Sequence, residues 1–370
     1  MSKQVLITGG AGFIGSHVAD RLLAKGYRVR ALDNLSPQVH GEQRQRPDYL
    51  DPEVELMIGD VRDPGAVKQA LQGVDAVFHF AAKVGVGQSM YQVADYLDTN
   101  VTATGVLLEA LIKHPVDRLV MASSMSIYGE GMYRTDDGQL VEGSRKTEHL
   151  HSGDWQAYGP GGEPLSPVPT TEDKAPSIAS IYAMSKLDQE RMSLMLGETY
   201  GIPTTALRFF NVYGERQALS NPYTGVLAIF ASRLLNDNPP QIFEDGLQRR
   251  DFVSVHDVAD ACALALERNE AIGRAFNIGS GHDVTVTEVA QRVAAALDRD
   301  IEPVVTGKYR TGDIRNCFAD ISLARERLGF DPRIRLDAGI RSLSAWLEDQ
   351  SAEDRVTQAT RELTVRGLAL

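Results

Sequence analysis

Tyr182 and Lys186 stand four residues apart in the run Tyr182-Ala183-Met184-Ser185-Lys186, inside a helical pattern that stops before Gly201 and Pro203. A spacing of four puts both side chains on one helix face. A free phenol ionises near pH ~10, too high for a base at neutral pH. A neighbouring ammonium favours the phenolate, and a cationic nicotinamide would add to that effect. Such a tyrosine can take a hydroxyl proton while hydride leaves the same carbon. The spacing alone is common, so the chemistry needs support from elsewhere in the chain.

That support begins with Thr8-Gly9-Gly10-Ala11-Gly12-Phe13-Ile14-Gly15-Ser16, which follows a short apolar strand and opens a helix. Gly9 allows a tight turn, Gly12 lets the backbone approach a pyrophosphate, and Gly15 lets the helix pack closely on the strand. The helix start at Phe13 and Ile14 presents unpaired N–H groups to phosphates. Asp33 ends the second strand, where a carboxylate accepts hydrogen bonds from the adenosine ribose and repels a 2′-phosphate. With Asn34 assisting, NAD is expected and NADP is not. Asp60 and Val61 end the third strand and are candidates for holding the adenine, although Asp60 reads equally well as a surface turn acid. Ala81 and Ala82 end the fourth strand, where small side chains let a dinucleotide lie across the sheet. Ser123-Ser124-Met125-Ser126-Ile127-Tyr128-Gly129 ends the fifth. A serine there can hydrogen-bond a reacting oxygen, or merely satisfy the turn backbone. Glycine turn, Asp33, serine and Tyr/Lys pair fall in order after successive strands, and this agreement favours the catalytic reading.

These residues need a scaffold of strand ends. Short apolar or β-branched runs at 5–8, 28–33, 54–61, 76–82, 118–123 and 204–209 alternate with helical patterns such as 14–25 and 94–113. Alternation of this kind predicts an α/β fold: a Rossmann-type doubly wound parallel sheet, with ligands at the carboxyl ends of its strands. Residues 1–208 are expected to form the NAD-binding domain, with 251–265 returning to it. Residues 209–250 and 266–349 are expected to form a smaller C-terminal α/β substrate domain. Residues 131–177, rich in Gly, Pro and charge, read as a structureless insertion. The polar tail 350–370 is expected to fray.

Composition narrows the partners. The 370 residues hold 38 Lys and Arg against 50 Asp and Glu, a net charge of −12. No basic cluster offers a nucleic-acid footprint, so no nucleic acid is expected. Cys262 and Cys317 have no metal-ligand spacing and are too few for a disulfide scaffold. Met1-Ser2-Lys3-Gln4 runs straight into Val5-Leu6-Ile7, and no apolar run is long enough to span a membrane. No signal peptide, no membrane partner and a cytoplasmic location are therefore expected.

From Val5 to about Trp346 the sequence resembles the extended short-chain dehydrogenase/reductases, within their nucleotide-sugar epimerase/dehydratase group. The resemblance implies Ser124 as the catalytic serine, Tyr182 as the base, and Lys186 as its partner and a ligand of the nicotinamide ribose. It implies Asn100 as the asparagine beside the cofactor. Arg208-Phe209-Phe210-Asn211-Val212-Tyr213-Gly214 resembles a segment whose asparagine, here Asn211, meets substrate phosphates. Ile242-Phe243 resembles the segment under the nucleotide base. Arg250 matches a pyrophosphate-binding arginine. In Arg310-Thr311-Gly312-Asp313 the arginine would clamp a phosphate and Asp313 the ribose. The planar guanidinium suits that task. A homodimer through helices around 94–113 and 182–199 is also implied.

Within such a group the residues just after the catalytic serine choose the reaction. A 4,6-dehydratase needs an acid pair where Met125 and Ser126 stand, and related decarboxylases carry a glutamate at Ser126. A net reductase would more often use NADPH, which Asp33 disfavours. C4 epimerisation through a transient 4-keto sugar remains, with Ser126 counted among the substrate contacts. The stretches 220–226 and 312–320, together with the insertion, look most like the dTDP-L-rhamnose 4-epimerase branch. UDP-glucose or UDP-glucuronate epimerisation is the alternative, and a non-catalytic NAD-binding scaffold or sensor is the reading from another class. That branch often carries a Cys-x-x-Cys knuckle in the insertion. Here the place reads Tyr158-Gly159-Pro160-Gly161-Gly162, so no metal is expected.

Overall fold

The computed structural model describes residues 2–310, 312–350 and 352–369. Seven strands form one central sheet: β1 (Gln4–Thr8), β2 (Arg28–Asp33), β3 (Glu55–Ile58), β4 (Ala76–His79), β5 (Arg118–Ser124), β6 (Thr204–Phe209) and β7 (Arg274–Ile278). Their order is β7-β6-β5-β4-β1-β2-β3, and every pairing is parallel. Because helices cover both faces, β1 and β6 are buried at every position, so neither shows the alternation of a half-exposed strand. The helices that matter for the site are α1 (Phe13–Ala24), α2 (Ala103–Lys113), α3 (Ile181–Tyr200), α4 (Val255–Glu267) and α5 (Val356–Val365). The helix predicted over 94–113 is continuous from Val93 to Lys113, with a π-helical turn, Leu97–Thr102, set between its first turn and α2. Such bulges recur at functional sites, and this one carries Asn100.

Four features depart from the sequence-based expectation. The central sheet runs past the expected boundary, because β7 pairs with β6 from Arg274–Thr205 to Ile278–Phe209. Its buried Asn277 interrupts the apolar run and hides the strand. The chain at 251–265 returns through a helix and not through a strand. Arg249–Ser254 joins a small mixed sheet beside Asn211–Tyr213, Asp283–Thr285 and Asn316–Cys317, while α4 packs against α1.

The insertion is structured as well. Met132–Arg134 lies between Leu140–Glu142 and Ser166–Val168 in an antiparallel sheet around Tyr133, Ala157 and Leu165. Strands of three residues are too short to show a period. Arg145 ties this sheet to the rest of the molecule through Glu130 at 2.8 Å and Glu244 at 2.6 Å. Nor does the tail fray through its length. It forms α5, whose Ala359 and Leu363 are buried. Among the described residues no helix is long and apolar enough to cross a membrane.

Candidate active site

The carboxyl ends of the central strands open into a cleft of about 1050 Å³. It begins at the glycine turn. Gly9 has a φ of +71°, and a Cβ there would lie 2.9 Å from the Ala81 nitrogen; one on Gly15 would lie 2.3 Å from the Gly9 oxygen. The turn therefore fits only without side chains at these points. Gly12 caps α1, so Phe13, Ile14 and Gly15 form the helix start that lines the cleft.

Asp33 is buried at the end of β2. Its Oδ2 accepts from the Ala11 nitrogen at 3.1 Å and its Oδ1 from the Leu35 nitrogen at 2.9 Å. The carboxylate thus braces the glycine turn while lining the cleft. Asp60 and Asn34 also line it, but Asp60 is already engaged by Arg62 (2.7 Å) and Asn34 (3.0 Å). The Arg62 guanidinium, opposed in part by burial, holds the Asp60 carboxyl well below its ordinary range. Val61, Ala81 and Ala82 complete this wall.

Tyr182 lies in the first turn of α3, whose start is capped by Ser180 accepting from the Ala183 nitrogen at 3.1 Å. Burial raises the phenol pKa, and a hydrogen bond with Ser124 works against that rise. The helix N-terminus also favours the anionic form. Ser124 Oγ accepts from Ser126 Oγ at 2.9 Å, so Ser126 spends its proton on Ser124. One turn along α3, Lys186 is buried, and desolvation brings its ammonium down to about 7, with Glu190 pulling upward.

Behind Lys186 runs a buried polar chain that sequence reasoning missed. Lys186 Nζ donates to Gln189 Oε1 at 2.8 Å, and Gln189 Nε2 donates to Thr104 Oγ1 at 2.8 Å. Thr104 gives its own proton to the Asn100 carbonyl at 2.6 Å. His79 Nε2 must then donate to Thr104 at 2.9 Å, which leaves Nδ1 to accept from Thr8 Oγ1 at 2.7 Å. Burial, with the Lys186 charge, pushes the imidazole down to about 3. Gln189 was detectable, because it sits three residues past Lys186 on the same face. Nothing local marks His79 or Thr104. Asn100 is not at the cleft wall: its side chain holds Lys83 N (2.7 Å), Lys83 O (3.1 Å) and Ser185 Oγ (2.9 Å). It bolts the segment after β4 to α3.

Opposite the glycine turn, Asn211, Ile242, Phe243, Arg250, Arg310 and Asp313 line the same cleft, and Ile242 also packs into the core behind it. Thr311 lies outside the described residues. Among the described residues nothing donates to the buried Asn211 Oδ1, as suits an atom that meets a ligand. Arg250 donates to the carbonyls of Arg249 (3.0 Å), Arg315 (2.7 Å) and Ile314, with no carboxylate in contact. Arg310 is paired with Asp313 at 2.8 Å and lies over the Phe243 ring at 4.5 Å. Helix α5 closes this end with Val356, Ala359, Thr360 and Leu363. Its Glu362 accepts from Tyr91 at 2.9 Å and Tyr223 at 3.3 Å.

A parallel sheet with a glycine-turn dinucleotide cradle and a Ser/Tyr/Lys cluster at its strand ends defines an NAD-dependent enzyme of Rossmann type. The chain belongs to the NAD-dependent epimerase/dehydratase family, whose model matches residues 5–279. It is 35% identical over 354 residues to a dTDP-L-rhamnose 4-epimerase of Burkholderia thailandensis, covering 94% of this chain and 96% of the relative. It is 33% identical to a putative UDP-glucose 4-epimerase of Methanocaldococcus jannaschii, covering 94% and 99%. Among solved structures, the UDP-glucose 4-epimerase of Thermotoga maritima with UDP-glucose superposes with a TM-score of 0.77 at 31% identity, covering 93% and 98%. The Thermus thermophilus UDP-glucose 4-epimerase complexed with NAD gives 0.74 at 31%, covering 94% and 99%. The enzyme is accordingly an NAD-dependent isomerase.

Proposed function

We propose that this chain inverts C4 of dTDP-L-rhamnose, giving dTDP-6-deoxy-L-talose through a transient 4-keto sugar. The observation that carries the epimerisation is local. Beside the Ser124–Tyr182–Lys186 cluster, Met125 has no titratable group and Ser126 already donates to Ser124. Neither can shuttle protons at neighbouring sugar carbons, so the dehydratase and decarboxylase chemistries named for more distant relatives lack their groups. The sugar assignment leans on the relative from Burkholderia thailandensis. The UDP-sugar epimerases among the relatives and solved structures keep UDP-glucose and UDP-glucuronate as the second reading.

Residues 9–15 with Asp33, Asn34, Asp60 and Val61 would hold NAD on one side of the cleft. Bound there, NAD supplies the acceptor and donor of the C4 hydride. Tyr182 takes the C4 hydroxyl proton and later returns one to the inverted centre. Lys186 favours the phenolate electrostatically, and Ser124 holds the reacting oxygen. Asn211, Arg250 and Arg310 anchor the diphosphate end while the keto sugar turns to offer its other face. In keeping with family resemblance we also assign a homodimer, formed through the helices around 94–113 and 182–199. Incubation with dTDP-L-rhamnose, UDP-glucose and UDP-glucuronate, followed by NMR of the sugars, tests the assignment. Inversion of the dTDP sugar alone supports it, and turnover of only a UDP sugar replaces it with the second reading.

A further inference from the structure

Outside the cleft, three side chains distant in sequence converge on one point. His17 is buried in α1. Its Nδ1 lies 2.9 Å from the Phe13 carbonyl oxygen, which can only accept, so Nδ1 carries a proton. Its Nε2 points at Glu215 Oε2 from 3.8 Å. His256, in the first turn of α4 and half exposed, brings its Nε2 to 3.1 Å from the same oxygen. The two rings meet edge to face, with centroids 5.1 Å apart. The other oxygen of Glu215 accepts from Ser342 Oγ at 2.8 Å. The candidate donor atoms all lie within 4.8 Å of one another.

At 3.8 Å His17 Nε2 stands beyond hydrogen-bond reach of Glu215, while its Nδ1 is taken up by the Phe13 carbonyl. A cation seated between the two imidazoles and the carboxylate would give each of the three converging donor atoms a partner at bonding distance.

We infer that His17, Glu215 and His256 bind one first-row divalent cation of the zinc class. Two imidazole nitrogens and one carboxylate suit Zn²⁺ or Co²⁺, whereas Mg²⁺ and Ca²⁺ prefer oxygen donors throughout. The supporting contacts are those a metal site uses: a backbone carbonyl fixes the His17 tautomer and a serine hydroxyl braces the carboxylate. Water can fill the fourth position beside the exposed His256. The nearby Arg216 is held by Asp20 at 2.8 Å and lies over the Tyr49 ring at 5.6 Å. The bound ion clasps α1, the segment after Asn211–Tyr213, and α4, so its role is to stiffen the helix that carries the glycine turn. Positions 17, 215 and 256 have no recognisable ligand spacing, which is why the absence of a metal was expected from the cysteines and the insertion alone.

The test uses the full chain, stripped with a chelator and titrated with ZnCl2 by calorimetry and with CoCl2 by visible absorption. One saturable site per chain is expected, with Co²⁺ giving ligand-field bands and Zn²⁺ raising the thermal midpoint. His256→Ala and Glu215→Gln should each weaken Zn²⁺ at least tenfold and remove the midpoint rise. His282→Ala should leave both unchanged. Far-UV circular dichroism checks that the variants fold, and His256→Asn serves if either does not. Absence of saturable binding by the unaltered chain overturns the site. Binding indifferent to both the His256 and Glu215 changes overturns it equally.

Discussion

Lys186 Nζ donates to Gln189 Oε1 at 2.8 Å, so a neutral amide, not a carboxylate, anchors the ammonium beside Tyr182. The acid one turn further along the same helix face, Glu190, is committed to Arg208 at 2.7 Å and Ser123 at 2.6 Å. Burial can therefore bring Lys186 down to about 7. Activity should fall on the alkaline side as that ammonium, and its support of the phenolate, is lost. Gln189→Glu places a negative charge against Nζ and should move this alkaline limb upward by about one unit or more. Gln189→Ala should lower kcat by about tenfold with the KM for the sugar unchanged, because one hydrogen bond to a charged group is lost. A pH profile of kcat for the three proteins decides; an unmoved limb in Gln189→Glu contradicts the role of Gln189.

Burying that ammonium costs stability. In the unfolded chain Lys186 titrates near ~10.4, above its folded value. Between the two pKa values the unfolded chain binds more protons, so stability rises with pH. Below pH 7 both states are protonated and the full cost, on the order of a few kcal/mol, is present. Lys186→Met should therefore be more stable than the unaltered protein at pH 6, with the difference shrinking toward pH 10. Urea midpoints at the two pH values, in protein freed of nucleotide, measure it.

Tyr182→Phe removes the proton carrier and leaves the ring in place. Turnover should fall by about 10²–10⁴. Bound NAD, extracted and quantified, should be unchanged, since the glycine turn and Asp33 are untouched. Near-normal turnover in this variant assigns the proton transfer to another group.

Helix α5 covers the nucleotide-sugar end of the cleft through Ala359, Thr360 and Leu363, and Leu363 packs against Gly87. Removing the chain beyond residue 352 should raise the KM for the nucleotide sugar several-fold while kcat changes by less. Steady-state kinetics of the shortened protein check this, and an unchanged KM would free the tail of any part in binding.

The cofactor half of the molecule was legible because its signals are local. Each of β1 to β6 is centred on apolar or β-branched residues, and the glycine turn, Asp33, Ser124 and the Tyr182/Lys186 pair sit at strand ends or one helical turn apart. The features that escaped are non-local. β7 carries Asn277, which is buried by hydrogen bonds from its side chain to the carbonyls of Thr170 (2.9 Å) and Asp320 (3.1 Å), partners over forty residues away in either direction. The insertion folds on strands too short for periodicity and on Arg145, whose partners Glu130 and Glu244 are unpredictable from sequence. Asn100 was expected at the cofactor, yet its amide is fully used in holding Lys83 and Ser185. Sequence spacing placed it near the right helix but could not show where its hydrogen bonds go. The tail looked polar because only one stripe of α5 is apolar, and that stripe faces the cleft.

The central claim is that one hydride leaves the sugar C4 and returns to the same carbon while Tyr182 moves the proton. dTDP-L-rhamnose bearing deuterium at C4, incubated without added NAD in ordinary water and followed by NMR and mass spectrometry, tests it most directly. The product should be dTDP-6-deoxy-L-talose that keeps its deuterium at the inverted C4. Loss of the label to solvent, or a product lacking the elements of water, would contradict it.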